Sequence, residues 1–401
     1  MGWAAVLAAG LAGYALVSRP HGEAPSGVAA PAPVGSTSQL DFEPTAAQRL
    51  RLVELRESLS EAAPRFTGEV ARERANAKLF TYLAATSDEP LVIEASLQAI
   101  GAAYSSRSSR KAAPDADLDR TLSRHLRSDR PSVARAAFRA ARIPLMAEHP
   151  GSELVEELVE TCAPGEPVAR RYAALRALDL LRPDRRGADV VQCFVAALQA
   201  EQPHLVSAAL FALAQSNPSL EPARAKGGDL APLALRSLAH PDPGVRGRAL
   251  ELLAELPWLV EADVAYASGV QALKDPHPYG RAVAAATLAR LGDPRAVHHL
   301  IEQVDDLAVA EHEITGFPTI DAGPGRLQHA VPGRKRVAAA ALFAIQSLSS
   351  SPAAHAAAAA PTVPPAPLKL GGRTRTLEEL RENAVMARSW YQQVRHRLPA
   401  P

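Results

Sequence analysis

A proline-marked unit recurs along most of this chain and constrains its fold more than any other feature. Each unit contains a proline followed by a helical pattern, at Pro90, Pro131, Pro167, Pro203, Pro243 and Pro278. The steps between these prolines are 41, 36, 36, 40 and 35 residues. Because proline suits the first turn of a helix and ends the segment before it, each proline marks the second helix of a helix pair. A period of this length predicts a stack of repeats.

The residues after each proline follow one apolar pattern. The sixth position carries a small residue: Ser96, Ala137, Ala173, Ala209, Ala249 and Ala284. Apolar residues follow at the seventh and tenth positions, which gives each helix one apolar stripe. A seventh copy lacks the proline but keeps the pattern from Gly333. One helix pair cannot bury such a stripe alone, so the pairs are expected to stack into an all-α solenoid.

This pattern resembles HEAT repeats, most closely the short bacterial HEAT-like type also found in phycobilin lyases. The resemblance covers roughly residues 70–348. It implies an α-solenoid of about seven HEAT-like helix pairs, with a flexible N-terminal appendage and an Ala/Pro-rich C-terminal one. Proteins of this kind serve as scaffolds, enzymes and nucleic-acid binders alike, so the resemblance implies a fold rather than a function.

Composition shifts divide the chain into six predicted segments. They are a signal peptide or membrane anchor (1–17), a flexible linker (18–44), an N-terminal capping helix (45–69), the HEAT-like repeats (70–348, with an insertion at 307–332), a low-complexity linker (349–375) and a C-terminal amphipathic helix (376–401). Thr45 and Gln48 fit a capping box at the start of the first helix, as Thr376 and Glu379 do at the start of the last.

The first 17 residues contain no charged side chain. Their apolar run is shorter than the roughly 20 residues of a membrane-spanning helix but suits a signal peptide. The sequence therefore predicts a protein that is periplasmic, secreted or tethered to the inner membrane, with membrane contact through residues 3–17 only. No basic residue precedes the run, which leaves a chain without a signal as the alternative.

Arginine recurs at the start of the second helices and acidic residues recur in the turns before them, for example Asp242 before Arg246. This alternation favours a ladder of Asp–Arg pairs between repeats over a basic stripe for phosphates. A second cluster is more local: Arg135, Arg139 and Arg142 share one helix face, near Arg124, Arg127 and Arg130. It could bind an anion or an acidic partner, or form a solvated face.

The insertion at 307–332 is the largest interruption of the repeat. Glycines and prolines such as Gly316 and Pro318 exclude a continuous helix there. Long loops on a regular scaffold often carry function. The residues that could bind a metal are Glu311, His312, Glu313, Asp321 and His329, with His298 and His299 nearby. Their spacing matches no compact ligand motif, so a metal site is the less favoured interpretation, and no cofactor is predicted.

Two further features have competing interpretations. Cys162 and Cys193 lie at non-equivalent repeat positions, which favours two buried apolar residues over a disulfide. The C-terminal helix has an apolar seam that includes Trp390 and Tyr391. It is expected to pack on the last repeat as a cap, or alternatively to bind in the groove of a partner.

No catalytic motif emerges, so the sequence predicts a non-catalytic protein-interaction scaffold that presents a concave helical surface to a protein partner. The net charge of +1 argues against nucleic acid. The alternatives are an anion or nucleic-acid binder that uses the Arg124–Arg142 patch, and a metal-dependent enzyme that uses the insertion. The candidate partner-binding residues are Arg135, Arg139, Arg142, Arg171, Arg246, Phe317, Trp390 and Tyr391.

Overall fold

A computed structural model describes most of the chain from residue 40 onward. The described ranges are 40–61, 76–103, 115–146, 151–216, 230–320, 324–332, 334–350, 364–368, 370 and 376–401. Residues Leu40–Pro401 form one compact unit. The predicted segment 1–17, most of the linker 18–44, residues 62–69 of the capping segment and most of the linker 349–375 lie outside the described residues.

Helices alternate in the pairs that the repeat predicted. The first helices of the seven pairs are α2 (Ala77–Thr86), α4 (Ala116–Leu126), α6 (Ser152–Thr161), α8 (Ala188–Ala197), α10 (Leu230–Ser237), α12 (Ala262–Ala272) and the short α14 (Val297–Leu300). The second helices are α3 (Pro90–Ala103), α5 (Pro131–Leu145), α7 (Val168–Leu178), α9 (Pro203–Ala214), α11 (Pro243–Glu255), α13 (Pro278–Leu291) and α15 (Val337–Ser349). The predicted α-solenoid is thereby confirmed.

Each second helix contacts the second helix of the next pair, so these helices form a continuous layer. Small residues allow the close approach: Ala137, Ala209, Ala249 and Ala284 are all fully buried. The buried apolar side chains form two clusters, one from the N-terminal end to α11 and one from α11 to the C-terminal end. The alanine-rich composition therefore gives a thin, elongated core, as expected of stacked helix pairs.

Arginines at the start of the second helices form the predicted ladder. Arg246 makes two hydrogen bonds of 2.7 Å with the carboxylate of Asp275 in the next turn. Arg281 makes the equivalent contact with Asp306, also at 2.7 Å. Both arginines also donate to backbone carbonyls of the turn before their own helix. These bonds tie consecutive repeats together and occupy Arg246, one of the predicted partner-binding residues.

A helix covers each end of the solenoid. At the N-terminal end, α1 (Ala46–Glu61) contacts α2 and α3, and Gln48 accepts a hydrogen bond from the backbone N–H of Thr45. Residues 40–44, predicted as linker, are anchored, because the N–H groups of Asp41 and Phe42 donate to Asp117. At the C-terminal end, α16 (Leu377–Val394) begins with the Thr376 capping box and packs on α15.

Two predictions need correction. Cys162, at the end of α6, and Cys193, in α8, form a disulfide across neighbouring repeats, because the stacking brings their Cα atoms within 6.0 Å. The predicted location, periplasmic, secreted or tethered to a membrane, is also wrong: none of the helices within the described ranges is long and apolar enough to cross a membrane.

The insertion adds one small β-structure to this mostly helical fold. Two antiparallel strands, β1 (Glu311–Pro318) and β2 (Pro324–Ala330), form a hairpin between α14 and α15. The hairpin lies against the layer of second helices, since β1 contacts α7, α9, α11 and α13. A segment predicted as an irregular loop is thus an extended ribbon that spans four consecutive repeats.

Candidate functional site

The hairpin has one face turned to the helices and one turned to solvent. Its register pairs His312 with His329, Ile314 with Leu327 and Phe317 with Gly325, and these pairs form the inner face. The exposed residues Glu311, Glu313 and Thr315 alternate with them on β1. Strand alternation thereby sends imidazoles and apolar groups inward and carboxylates outward.

A bulge at Gly316 keeps Phe317 on the inner face. The register shifts between Thr315 and Phe317, and Gly316 has a φ of 77°, which favours glycine. Strict alternation from Ile314 would turn Phe317 to solvent, but the extra residue restores it to the inner face. Opposite it, a side chain at Gly325 would collide with the Phe317 ring.

Phe317 fills an aromatic site on the helices. Its ring stacks on His204, with centroids 4.1 Å apart and planes inclined by 10°. Tyr172 meets the same ring edge to face at 5.0 Å. Phe317 is only 6% exposed. Tyr172 belongs to α7 and His204 to α9, so we call this place the α7–α9 site.

His329 occupies the corresponding place one repeat further on. Its Nε2 lies 3.4 Å from the hydroxyl of Ser207 on α9, and the side chain is 1% exposed. It also lies against Gly244 of α11, where a Cβ would come within 2.7 Å of the imidazole. Glycine at this position therefore makes room for the hairpin histidine, and we call the place the α9–α11 site.

His312 holds the base of the hairpin. Its Nε2 lies 3.0 Å from Asp242 Oδ2. The other oxygen of Asp242 accepts from the N–H groups of Gly244 and Val245 and so caps α11. The ring of His277, which caps α13, stands edge to face with His312 at 5.1 Å.

These sites share one position in the repeat. Each site lies between two residues on neighbouring second helices. One is the fourth residue after a repeat proline, and the other is the first residue after the proline of the next repeat. The pairs are Arg171 with His204, Ser207 with Gly244, and Gly247 with Tyr279. The last pair also touches, since a Cβ on Gly247 would lie 2.5 Å from the Tyr279 ring. We call this row of sites the second-helix surface; it offers one site per repeat.

Burial at the hairpin interface keeps His204 and His329 in the neutral form at neutral pH. Burial lowers the pKa of His204 to about 4. Burial, together with the charges of Arg248 and His312, lowers the pKa of His329 to about 3. Burial also lowers the pKa of His277. The stacking of Phe317 on His204 and the burial of His329 beside Ser207 therefore depend on unprotonated imidazoles.

The residues proposed as metal ligands are not brought together. His312 and His329 lie on the inner face of the hairpin, but Glu311 and Glu313 are on the outer one. His298 instead contacts the Tyr391 hydroxyl and the Pro399 carbonyl, each at 2.8 Å. Asp321 lies outside the described residues. In the part of the chain that the structure describes, no group of three potential ligands could hold a metal ion.

The predicted partner-binding residues fall into three groups. Arg139 and Arg142 are exposed on α5, and Arg135 is half-buried there. Arg171 is buried on the second-helix surface, where Phe317 is buried as well. Trp390 is buried in the C-terminal cap and donates a 2.9 Å hydrogen bond to the Pro364 carbonyl, and Tyr391 contacts His298. The rings of Phe317, Trp390 and Tyr391 are therefore occupied by internal contacts.

Sequence reasoning missed Tyr172, His204 and Asp242 as parts of one surface. A signal was present: the first residue after the repeat proline differs strongly between copies, as His204, Gly244 and Tyr279 show. In repeats built largely from alanine and leucine, variation at one fixed position is typical of a surface adapted to a ligand rather than to the core.

Comparison with known proteins supports the architecture. No family model matches the chain, and no curated protein matches it. The solved structure of Kap95p with RanGDP matches with a TM-score of 0.50 at 14% identity, over 89% of this chain and 46% of Kap95p. An engineered protein matches at a TM-score of 0.47 and 18% identity, over 87% of this chain and 92% of its own. The matched region thus spans less than half of Kap95p. The structural likeness to Kap95p shows a helical repeat fold.

Proposed function

We propose that this protein is a non-catalytic, HEAT-like interaction scaffold that binds an extended segment of a protein partner on its second-helix surface. One observation carries the proposal: the chain's own extended strand already lies on that surface, with Phe317 packed against both Tyr172 and His204. A surface that accepts an aromatic side chain from one extended strand has the shape and chemistry to accept another.

The repeat geometry supports the same function. One site per repeat matches an extended ligand, because an extended strand presents side chains to one face at regular intervals. Kap95p, which shares the helical repeat fold, binds RanGDP. In the proposed mechanism the hairpin is an internal occupant, and a partner segment displaces it from the α7–α9 and α9–α11 sites.

The proposed partner surface continues beyond the hairpin toward the N-terminal end. The α5 helix precedes α7, the first of the four helices that β1 contacts most, and carries Arg135 and Arg139. We include both arginines and Arg142 in the proposed partner-binding surface, together with Arg171. Trp390 and Tyr391 are assigned to the C-terminal cap instead, because their rings contact Pro364 and His298.

A test in two parts uses a full chain in which a Gly-Ser linker replaces residues 311–330. A synthetic peptide of residues 310–331, labelled for fluorescence anisotropy, is expected to bind this variant and to be excluded by the intact chain. His204→Ala in the linker variant should remove the binding, whereas Arg182→Gln, which lies outside the surface, should not. A folded linker variant that does not bind the peptide would contradict the proposal.

The second part uses the same variants as bait in extracts of the source cells. The linker variant should retain a stoichiometric protein partner more strongly than the intact chain, and His204→Ala should lose it. A partner that is retained equally by all three proteins would place the interaction elsewhere on the solenoid.

A further inference from the structure

Arg171 is a buried arginine whose Nε has no hydrogen-bond partner among the described residues. The residue is 8% exposed, and no acceptor among the described residues lies within hydrogen-bond distance of its Nε. Burial lowers the pKa of its guanidinium, and no charged neighbour in the described chain counters this shift. Burying a guanidinium without a partner is costly, so a protein that retains one has a use for it.

Other arginines show that this fold does satisfy buried guanidinium groups. Arg186 is 6% exposed and donates to the carbonyls of Leu181, Ala212 and Asp179 at 2.6 to 3.0 Å. Arg170, adjacent to Arg171 in the chain, donates to the Ser128 carbonyl at 2.8 Å. The lack of a partner is therefore specific to Arg171 and does not reflect a general feature of the helices.

The position of Arg171 in the repeat places it at the α7–α9 site. It is the fourth residue after Pro167, and its equivalent in the next repeat is Ser207, whose hydroxyl meets the hairpin at His329. The site contains a second unsatisfied group, because His204 Nε2 is buried and has no hydrogen-bond partner in the described chain. His204 Nε2 thus lies beside Phe317, and repeat equivalence indicates that Arg171, which precedes Tyr172, lies at the same site.

The described residues of the two strands do not supply an acceptor for Arg171. Its inner face carries His312, Ile314, Phe317, Leu327 and His329, without a carboxylate among these described residues. Its acidic residues Glu311 and Glu313 face solvent. The hairpin therefore fills the aromatic part of the α7–α9 site and leaves the cationic part unpaired.

We propose that Arg171 binds a carboxylate of the partner segment, next to an aromatic side chain that replaces Phe317 against Tyr172 and His204. This inference rests on the proposed function and adds the class of ligand: an extended acidic segment that combines an aromatic residue with a nearby carboxylate. A guanidinium forms two parallel hydrogen bonds with a carboxylate, which gives both charge neutralisation and orientation.

The test uses the full chain with Phe317→Ala, which vacates the aromatic part of the site, and three small probes. N-acetylphenylalanine carries a terminal carboxylate, acetyl-Glu-Phe-amide carries a side-chain carboxylate, and acetyl-Gln-Phe-amide is neutral. Affinities are measured by NMR titration at low salt. We expect at least one acidic probe to bind about tenfold more tightly than the neutral one. The probe that binds more tightly shows whether Arg171 prefers a terminal or a side-chain carboxylate.

Substitutions then assign that preference to Arg171. Added to Phe317→Ala, Arg171→Gln should abolish the preference and Arg171→Lys should retain part of it. Arg182→Gln, the matched loss of one charge at an exposed site, should leave it unchanged. Because no described residue pairs with Arg171, Arg171→Met should not lower the melting temperature of the otherwise unaltered chain. A marked decrease would show that Arg171 serves the fold and would overturn the assignment.

The possible results separate the two proposals. Equal affinity for the acidic and neutral probes, with binding that His204→Ala removes, would contradict the role of Arg171 and leave the second-helix surface as a peptide site. Failure of all three probes to bind would contradict both proposals. If the acidic probe still binds more tightly than the neutral one in Arg171→Gln, a cation other than Arg171 binds the carboxylate.

Discussion

The ring of Phe317 lies parallel to the imidazole of His204 at a centroid distance of 4.1 Å, although the two residues belong to different structural layers. This stacking joins the hairpin to the solenoid and covers the α7–α9 site. Release of the hairpin, whether by mutation, acid or a competing partner, would therefore expose this part of the second-helix surface.

Phe317→Ala is expected to loosen the hairpin while the solenoid remains folded. The substitution removes a buried aromatic side chain, a change that costs about 3 kcal/mol at comparable sites. Trypsin should then cleave faster after Arg326, whose side chain is 75% exposed on β2. Thr315→Ala, on the solvent face of the same strand, is the control and should leave the rate unchanged. An unchanged rate in Phe317→Ala would show that the stacking does not hold the hairpin.

Acid is expected to release the hairpin. A solvent-exposed histidine has a pKa near 6.5, whereas the docked His329 and His204 have lowered pKa values of about 3 and about 4. The undocked state therefore binds more protons, and docking weakens as the pH falls below about 6.5. By this linkage, one such imidazole at pH 5 disfavours docking by about 2 kcal/mol.

Other charged and titratable groups around the two histidines modify this response. Those facing them are Arg171, Tyr172, Asp242, Arg248, Glu251, His277, Tyr279 and His312. Hydrogen exchange of the β1 and β2 amides at pH 7.5 and 5.0, corrected for intrinsic rates, measures the effect. His329→Gln should reduce the pH dependence. Equal protection at both pH values would refute the prediction.

The Asp–Arg ladder is expected to contribute substantially to stability. Burial alone would raise the pKa of Asp275, but hydrogen bonds from Arg246 and from the His277 N–H lower it overall. Arg246→Ala leaves this 6%-exposed carboxylate without its arginine, with only the His277 N–H bonded to it, and should lower the free energy of unfolding by about 3 kcal/mol in urea titrations. Arg51→Ala removes an exposed pair with Glu54 and should cost less than about 0.5 kcal/mol. Similar losses for the two variants would contradict this ranking.

The C-terminal cap is expected to depend on Trp390. Trp390→Phe removes the hydrogen bond to the Pro364 carbonyl and should cost about 1 kcal/mol. Trp390→Ala also removes buried apolar area and should cost about 3 kcal/mol. Faster hydrogen exchange in α15 would report the loss of the cap. Val385→Ala, at a position 60% exposed on the same helix, is the matched control and should have little effect.

The disulfide is expected to stabilise the third and fourth repeats. Its two cysteines are 31 residues apart in sequence, and a cross-link of this span contributes about 3 kcal/mol through the unfolded state. The double variant Cys162→Ala and Cys193→Ala should lower the melting temperature, and a reductant should lower that of the native chain but not of the variant. Thiol titration of the denatured chain should find free thiols only after reduction; their presence beforehand would contradict the assignment.

Local signals in the sequence predicted much of this fold. The prolines at the first positions of α9, α11 and α13 were sufficient to predict where these helices begin, because a helix start depends on residues within one turn. The same holds for the Thr376 and Glu379 capping box, whose partners are three residues apart. The Asp–Arg alternation predicted the ladder, since the repeat period alone brings equivalent positions together.

The candidate site was less accessible to prediction. The histidines of the insertion were recognised as unusual, but their interpretation as metal ligands did not take strand alternation into account. The pairing of His312 with Asp242 joins residues 70 positions apart, and that of His329 with Ser207 joins residues 122 positions apart. No local spacing encodes such contacts.

The sequence by itself determined the helix pairs, their order and the covering of both ends, because these depend on short-range periodicity, capping and a repeated apolar stripe. Only the tertiary structure decided that the insertion folds onto the helices, that Cys162 meets Cys193 and that Arg171 is buried with no partner for its Nε among the described residues. Those outcomes depend on how the stacked repeats position distant side chains, a relationship that appears only when the whole solenoid is assembled.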